Sequence, residues 1–160
     1  MLRSVLQKNK KGLFLTVAAL TCLLHYSFTP AMDEQEMLTW TNNCLAASYD
    51  PSGDDKLKTW QLTLTADGFI RLRKTYARGK EEFHSFHLSR FSDMGYLGTT
   101  TSGTLQLKAV ADDIIVQTFN DPSGDIDSMA TQLNIPVRGM EPDRLDSLQM
   151  ALNYFKKKGL

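Results

Sequence analysis

The sequence predicts an α+β domain in which an antiparallel bent sheet or small barrel of six to seven strands is closed by a C-terminal amphipathic helix. Three observations predict it. Apolar and polar residues alternate with period two through most of 57–135, glycine-bearing breaks fall at Ala66-Asp67-Gly68 and Ala77-Arg78-Gly79-Lys80, and a helical period returns in Leu145, Leu148, Leu152 and Phe155. The 160 residues, 42% apolar and 22% charged, have the composition of one folded domain.

The chain opens with a basic stretch ending Lys8-Asn9-Lys10-Lys11, an apolar run from Leu13 to Leu24, and Thr29-Pro30-Ala31, which offers small residues for export cleavage. This is the pattern of a signal peptide over residues 1–31, and the apolar run is too short to span a bilayer comfortably. An uncleaved signal anchor is the alternative. Cys22 follows Ala19-Leu20-Thr21, which does not match a lipidation site because Thr is too bulky beside the cysteine. Export would leave a single globular domain over 32–160 with Cys44 as its one cysteine, expected as a small buried hydrophobe.

Asp33 to Ser48 places Met37, Trp40, Cys44 and Ala47 at helical spacing behind Asp33, Glu34 and Glu36, carboxylates that suit the positive end of a helix. A short amphipathic helix is expected within 32–49. A strand is the alternative, since Thr39-Trp40-Thr41 favours pleated surfaces and Asn42-Asn43 disfavours helix.

The first hairpin has a register that burial decides. A two-residue turn at Asp67-Gly68 would set Leu64 and Leu62 opposite arginines. A three-residue loop with Gly68 left-handed pairs Leu64 with Ile70 and Leu62 with Leu72, and this loop is predicted. For the next strand, Glu81–Leu88, the same matching of faces pairs Leu72 with Phe86 and Ile70 with Leu88, sets His87 opposite Arg71 on the outer face, and puts His84 on the other face opposite Lys74. Further strands are expected at Thr104–Val110 (Leu105, Leu107 and Ala109 inward), Ile114–Asn120 and Ser128–Ile135 (Met129, Leu133 and Ile135 inward), with an Asp112-Asp113 turn between the first two. Ser89–Gly103 reads as a long loop, its apolar half over the barrel end and its Thr-rich half mobile, or as a part-formed seventh strand. The closing helix, 141–158, starts at Glu141-Pro142 and ends in Lys156-Lys157-Lys158.

This order of elements, a strand meander and then one amphipathic helix from about Leu57 to Lys158, resembles the pleckstrin-homology-like fold. The resemblance implies a bent sheet or barrel plugged by the C-terminal helix. The loop where that family carries a basic phosphoinositide site is here Ala66-Asp67-Gly68.

Several segments invite chemical readings. Asp50-Pro51-Ser52-Gly53-Asp54 recurs as Asp121-Pro122-Ser123-Gly124-Asp125, with oxygen ligands at alternate positions, but Asp55 and Ile126 stand where a calcium loop needs glycine, and Gln61 and Gln132 where it needs glutamate. The segment suits a type I turn, Asp at the first position and Pro at the second. His84 and His87, near Glu81 and Glu82, are three apart and point to opposite faces of a strand, so they cannot share an ion. There is no Gly-x-Ser-x-Gly elbow or phosphate-binding glycine loop. No catalytic residue, metal ligand or cofactor is assigned.

What stands out is charge. Residues 33–160 carry 14 basic against 18 acidic side chains, which argues against nucleic acid held by bulk charge. Within them, 56–90 hold eight basic against three acidic and 91–155 three against nine. Arg71, Arg73 and His87, flanked by Phe69 and Phe83, group on the outer face of the first sheet, beside the loop that carries Tyr96. These six residues are the candidate binding surface for an anionic or protein ligand. The sequence thus points to an exported, periplasmic or extracellular, non-catalytic binding or assembly module of a bacterial envelope, with a protein or anionic envelope component as partner and membrane contact only if the leader is retained. The alternative is a small ligand-carrying barrel or a hydrolase.

Overall fold

A computed structural model describes residues 33–159. The leader expected at 1–31, with its cleavage after Ala31, lies outside the described residues. In chain order the elements are helix α1 (Glu34–Ser48), strands β1 (Leu57–Leu64), β2 (Phe69–Tyr76), β3 (Glu81–His87), β4 (Phe91–Gly98), β5 (Ser102–Ala109), β6 (Ile114–Phe119), β7 (Asp127–Ala130) and β8 (Gln132–Arg138), and helix α2 (Pro142–Lys158). The fold is α+β, with one antiparallel sheet ordered β1-β2-β3-β6-β7 and a second ordered β4-β5-β8. No closed barrel forms among the described residues, and the strands do not make a meander. The chain leaves the first sheet after β3, returns to it as β6 and departs again between β7 and β8.

The β1–β2 hairpin has the predicted register, Leu64 opposite Ile70 and Leu62 opposite Leu72. Thr65 N–H donates to the Phe69 carbonyl at 2.9 Å, and Gly68, at φ 81, takes the left-handed position that closes the three-residue loop. The β2–β3 hairpin departs from expectation by two residues: Ile70 faces Phe86, Leu72 faces His84, Arg71 faces Ser85 and Phe69 faces His87. The turn is the cause. Tyr76 N–H donates to Lys80 O at 2.9 Å and Gly79 sits at φ 87, so Ala77-Arg78-Gly79 repeats the three-residue geometry of Ala66-Asp67-Gly68 and fixes the register. A slip of two preserves which face each side chain occupies, so matching apolar faces could not detect it.

Of the two readings of Ser89–Gly103 the strand is found: β4 pairs with β5 from Phe91 opposite Ala109 to Gly98 opposite Gly103, leaving a tight turn at 99–101. Two further expectations are corrected. Ser128–Ile135 is two strands, because the chain passes at Thr131 from β7, which pairs with β6, to β8, which pairs with β5. Leu133 and Ile135 are buried as expected, whereas Met129 is 52% exposed. The residues around Asp112-Asp113 connect two sheets instead of turning a hairpin.

α1 is a helix despite its asparagines, and one of them shows why. The Asn42 side chain donates to Leu64 O at 2.9 Å and accepts from Leu64 N–H at 2.7 Å, pairing with the β1 edge as another strand would. The buried face of α1 is Thr41, Cys44, Leu45 and Ser48, so Ala47, expected on that face, is exposed, while Met37 and Trp40 pack at its margin. α2 follows prediction: Pro142 occupies its first turn, Leu148, Leu152 and Phe155 are buried, Leu145 packs beside them, and Gly159 caps it at φ 74. The two helices join Leu62, Leu64, Ile70, Phe86, Phe91, Leu105, Leu107 and Ile135 in one core. No helix of the described residues is long and apolar enough to cross a membrane.

Candidate functional site

Alternation along β2 sends Ile70 and Leu72 into the core and Phe69, Arg71 and Arg73 to the opposite face. Cross-strand register then builds two rows on that outer face. One runs Thr63, Arg71, Ser85, Ile115 and Met129, and the other Gln61, Arg73, Phe83, Gln117 and Asp127. Between them lies a depression of about 460 Å³ whose lining includes Gln61, Thr63, Arg71, Arg73, Phe83 and Ile115.

Both arginines stand over aromatic rings. The Arg71 guanidinium carbon is 5.1 Å from the Phe69 centroid, and that of Arg73 is 5.0 Å from the Phe83 centroid. They differ in ionic partner: Arg73 reaches both Glu81 oxygens, at 3.1 and 3.2 Å, whereas Arg71 forms no ion pair among the described residues. Phe83 also meets Phe119 edge-on at 5.5 Å, extending the aromatic surface toward β6.

His87 shares the face but is engaged locally. Its Nδ1 accepts from Ser89 N–H at 3.2 Å, its Nε2 lies 3.1 Å from the Asp67 carbonyl, and its ring meets Phe69 edge-on at 4.8 Å. It ties the β1–β2 loop to the turn after β3, beside Phe69 and not opposite Arg71. Tyr96 is not part of the group. It lies in β4 of the second sheet, half-buried against the core, and donates its hydroxyl to Thr99 O. Its ring crosses Gly103, where a Cβ would fall 2.4 Å from the Tyr96 hydroxyl, so glycine is needed there.

The structure adds residues that the sequence reading missed. Ile115, Phe119 and Met129 are 40%, 45% and 52% exposed on this face. Ile114-Ile115-Val116 is a continuous apolar run whose alternation gives no preferred face, and Met129 was assigned inward by joining β7 to β8.

On the inner face a second polar cluster joins the two Asp-Pro-Ser-Gly-Asp segments. Both are tight turns, with Ser52 N–H donating to Asp50 Oδ1 at 3.0 Å and Ser123 N–H to Asp121 Oδ1 at 2.9 Å. Asp54 accepts from Lys74 at 2.7 Å and from the Tyr49 and Tyr76 hydroxyls at 2.9 and 3.3 Å; Tyr76 also donates to Glu82 at 3.0 Å, and Lys80 bridges Glu82 and Asp121 at 2.8 Å each. Burial by itself would raise the Asp54 carboxyl, but the bonds from Lys74 and the two tyrosines outweigh it and hold it below the ordinary range. Burial and the adjoining carboxylates push both tyrosine hydroxyls up, and Lys80 is raised to about 12 by its bonds to Asp121 and Glu82. These shifts hold Asp54, Lys80 and the two tyrosines in their resting charge states, the opposite of tuning toward neutral pH for proton transfer, and with the bonds above they make the cluster a fastening between loops. Among the described residues no group of three or more His, Cys, Asp or Glu is placed to hold a metal ion.

His84 stands beside this cluster, facing Leu72 and Val116, and its buried Nδ1 has no hydrogen-bond partner. Burial lowers its pKa from 6.5, with Lys74 acting in the same direction and Glu82 against it. A depressed histidine contributes stability that is complete above the unfolded value and lost as pH falls from about 6.5 toward the folded value. His84→Leu should therefore flatten the unfolding midpoint between pH 7 and 5 relative to wild type, as thermal denaturation across that window would show.

No family model matches the chain, and no curated protein or solved structure was found similar to it.

Proposed function

We propose that the protein is an exported, non-catalytic binding or assembly module of a bacterial envelope, with the outer face of the five-stranded sheet as its contact surface and an anionic component or a partner protein as its ligand. One observation carries the reading: Arg71, exposed and in no ion pair among the described residues, stands on Phe69 at the rim of a depression that reaches exposed Ile115, with exposed Met129 next in the row. An aromatic-backed guanidinium is suited to bidentate anion recognition, and grouped exposed apolar side chains mark contact surfaces. The leader read in residues 1–31 supports the compartment. The scaffold is read as pleckstrin-homology-like in the order of its strands and C-terminal helix, and that layout assigns no ligand by itself.

The test is capture from envelope extract by wild type and by Arg71→Ala/Arg73→Ala. Arg73 and Glu81 form a half-exposed pair worth about 0–1 kcal/mol, so the unfolding midpoint should barely move. Binding should weaken by about 1.5–3 kcal/mol for each charge-assisted bond lost. Equal recovery of the same partners by both proteins would contradict the reading.

A further inference from the structure

The row Thr63, Arg71, Ser85, Ile115, Met129 crosses the sheet at right angles to its strands and changes character along its length, from hydroxyl to cation to small hydroxyl to two exposed aliphatic side chains. Ser85 is the low point. Its neighbours on the same strand face are Phe83, which lines the depression, and His87, which does not. The depression of about 460 Å³ follows this row from Thr63 and Arg71 past Ser85 to Ile115, with Met129 next in the row beyond it, and that volume is a small-molecule site's, too little to seat a folded partner. From Arg71 on β2 to Ile115 on β6 is two strand spacings, roughly 10 Å, and Met129 on β7 adds a third, so a ligand meeting all three is elongated and lies across the strands. The two ends differ: Arg71, whose guanidinium is in no ion pair and feels only the more distant Asp67 carboxylate, suits an anion, and Ile115 with Met129 suits hydrocarbon. A peptide running along the strands would meet both ends only at separate residues.

We propose that this depression binds a single-chain anionic amphiphile, its charged head on Arg71 and its hydrocarbon tail over Ile115 and Met129. The inference rests on the binding face proposed above and names the ligand class for it. A carboxylate head takes two parallel N–H bonds from Arg71, with the Thr63 hydroxyl beside it in the row. The tail covers apolar surface that is now in water. Arg73, already held by Glu81, borders the head and adds positive potential.

The test uses the full chain and decanoate below its micelle concentration, with acetate as head without tail and decyl maltoside as tail without charge. Calorimetry should show decanoate binding at least tenfold tighter than either control, and amide shifts should concentrate at residues 71, 85 and 115. Arg71→Gln should weaken decanoate at least tenfold, and so should Ile115→Ser/Met129→Ser, each without a comparable change in unfolding midpoint. Phosphatidylglycerol vesicles separate the sources: binding of monomeric decanoate without vesicles supports the proposal, whereas vesicles bound more tightly than decanoate would assign the face to a two-chain membrane lipid and overturn it. Equal affinity for decanoate and decyl maltoside, no binding of decanoate, or binding only of an acidic peptide would overturn it. If decanoate fails while capture from envelope extract still depends on Arg71 and Arg73, the amphiphile is wrong and the binding face stands; if capture is also indifferent to the arginines, both fall.

Discussion

Leu152→Ala should destabilise the protein by about 2–5 kcal/mol, with an unfolding midpoint lower by roughly 3–5 °C for each kcal/mol. Leu152 is fully buried on α2, in the core with Leu148 and Phe155 and with the inner faces of the strands. The loss has two parts, the transfer free energy of the deleted methyl-bearing carbons and the cavity they leave. The site is closed from several sides, since α2 packs against both α1 and the turn Leu88–Arg90, so it has little freedom to collapse. Chemical denaturation followed by far-ultraviolet circular dichroism checks this, and an unchanged midpoint would mean that α2 is not part of the folding unit.

Asp54→Ala should cost about 2–4 kcal/mol at neutral pH, less than the 3–5 kcal/mol of a fully buried broken pair because water still reaches the site. The Lys74 and Asp54 side chains retain 12% and 19% of their exposure, and removing the carboxylate strands an ammonium and two tyrosine hydroxyls at once. The sign with pH follows from the lowered carboxyl. A group whose pKa is depressed by folding contributes stability above its unfolded value, here 3.8, and that stability disappears as pH falls through the folded value. The gap between wild type and variant should therefore be full at pH 7 and at pH 5 and smaller at pH 3, below the unfolded value of 3.8. Midpoints measured at those three pH values check it; a gap that persists undiminished in acid would assign the loss to the Asp50–Asp54 turn and not to the ion pair.

The secure parts of the sequence reading were those where one physical constraint admits one answer. The helical stripe of α2 has a single buried face, and Gly68 admits a single loop length once Leu64 must avoid Arg71. The same rule was available at Tyr76-Ala77-Arg78-Gly79-Lys80, where the Ala-x-Gly pattern repeats, but a two-residue slip leaves every face unchanged and so escapes a test of burial alone. β4 is only half legible, as one of two readings of Ser89–Gly103, for another reason. Met94-Gly95-Tyr96-Leu97-Gly98 has two glycines and no clean alternation, and its strand state is fixed by pairing with β5, where Gly95 lies opposite Gln106. Of the proposed binding face, Phe69, Arg71, Arg73 and Phe83 were legible because β2 and β3 alternate. Ile115 and Met129 were not, since one sits in an apolar run and the other depends on a change of sheet at Thr131 that no Gly or Pro marks.

The central claim is that the outer face of the five-stranded sheet is where this protein meets its ligand. Ser85 lies at the middle of that face, between Arg71 and Ile115 in register, while Lys108 points away from the core on the second sheet beside Asp93. A photoreactive side chain placed at each position in turn, with irradiation in envelope extract, tests the claim most directly. Adducts at position 85 and not at 108, suppressed by Arg71→Ala, are the predicted result. Adducts confined to position 108, or equal at both positions and indifferent to Arg71, would contradict it.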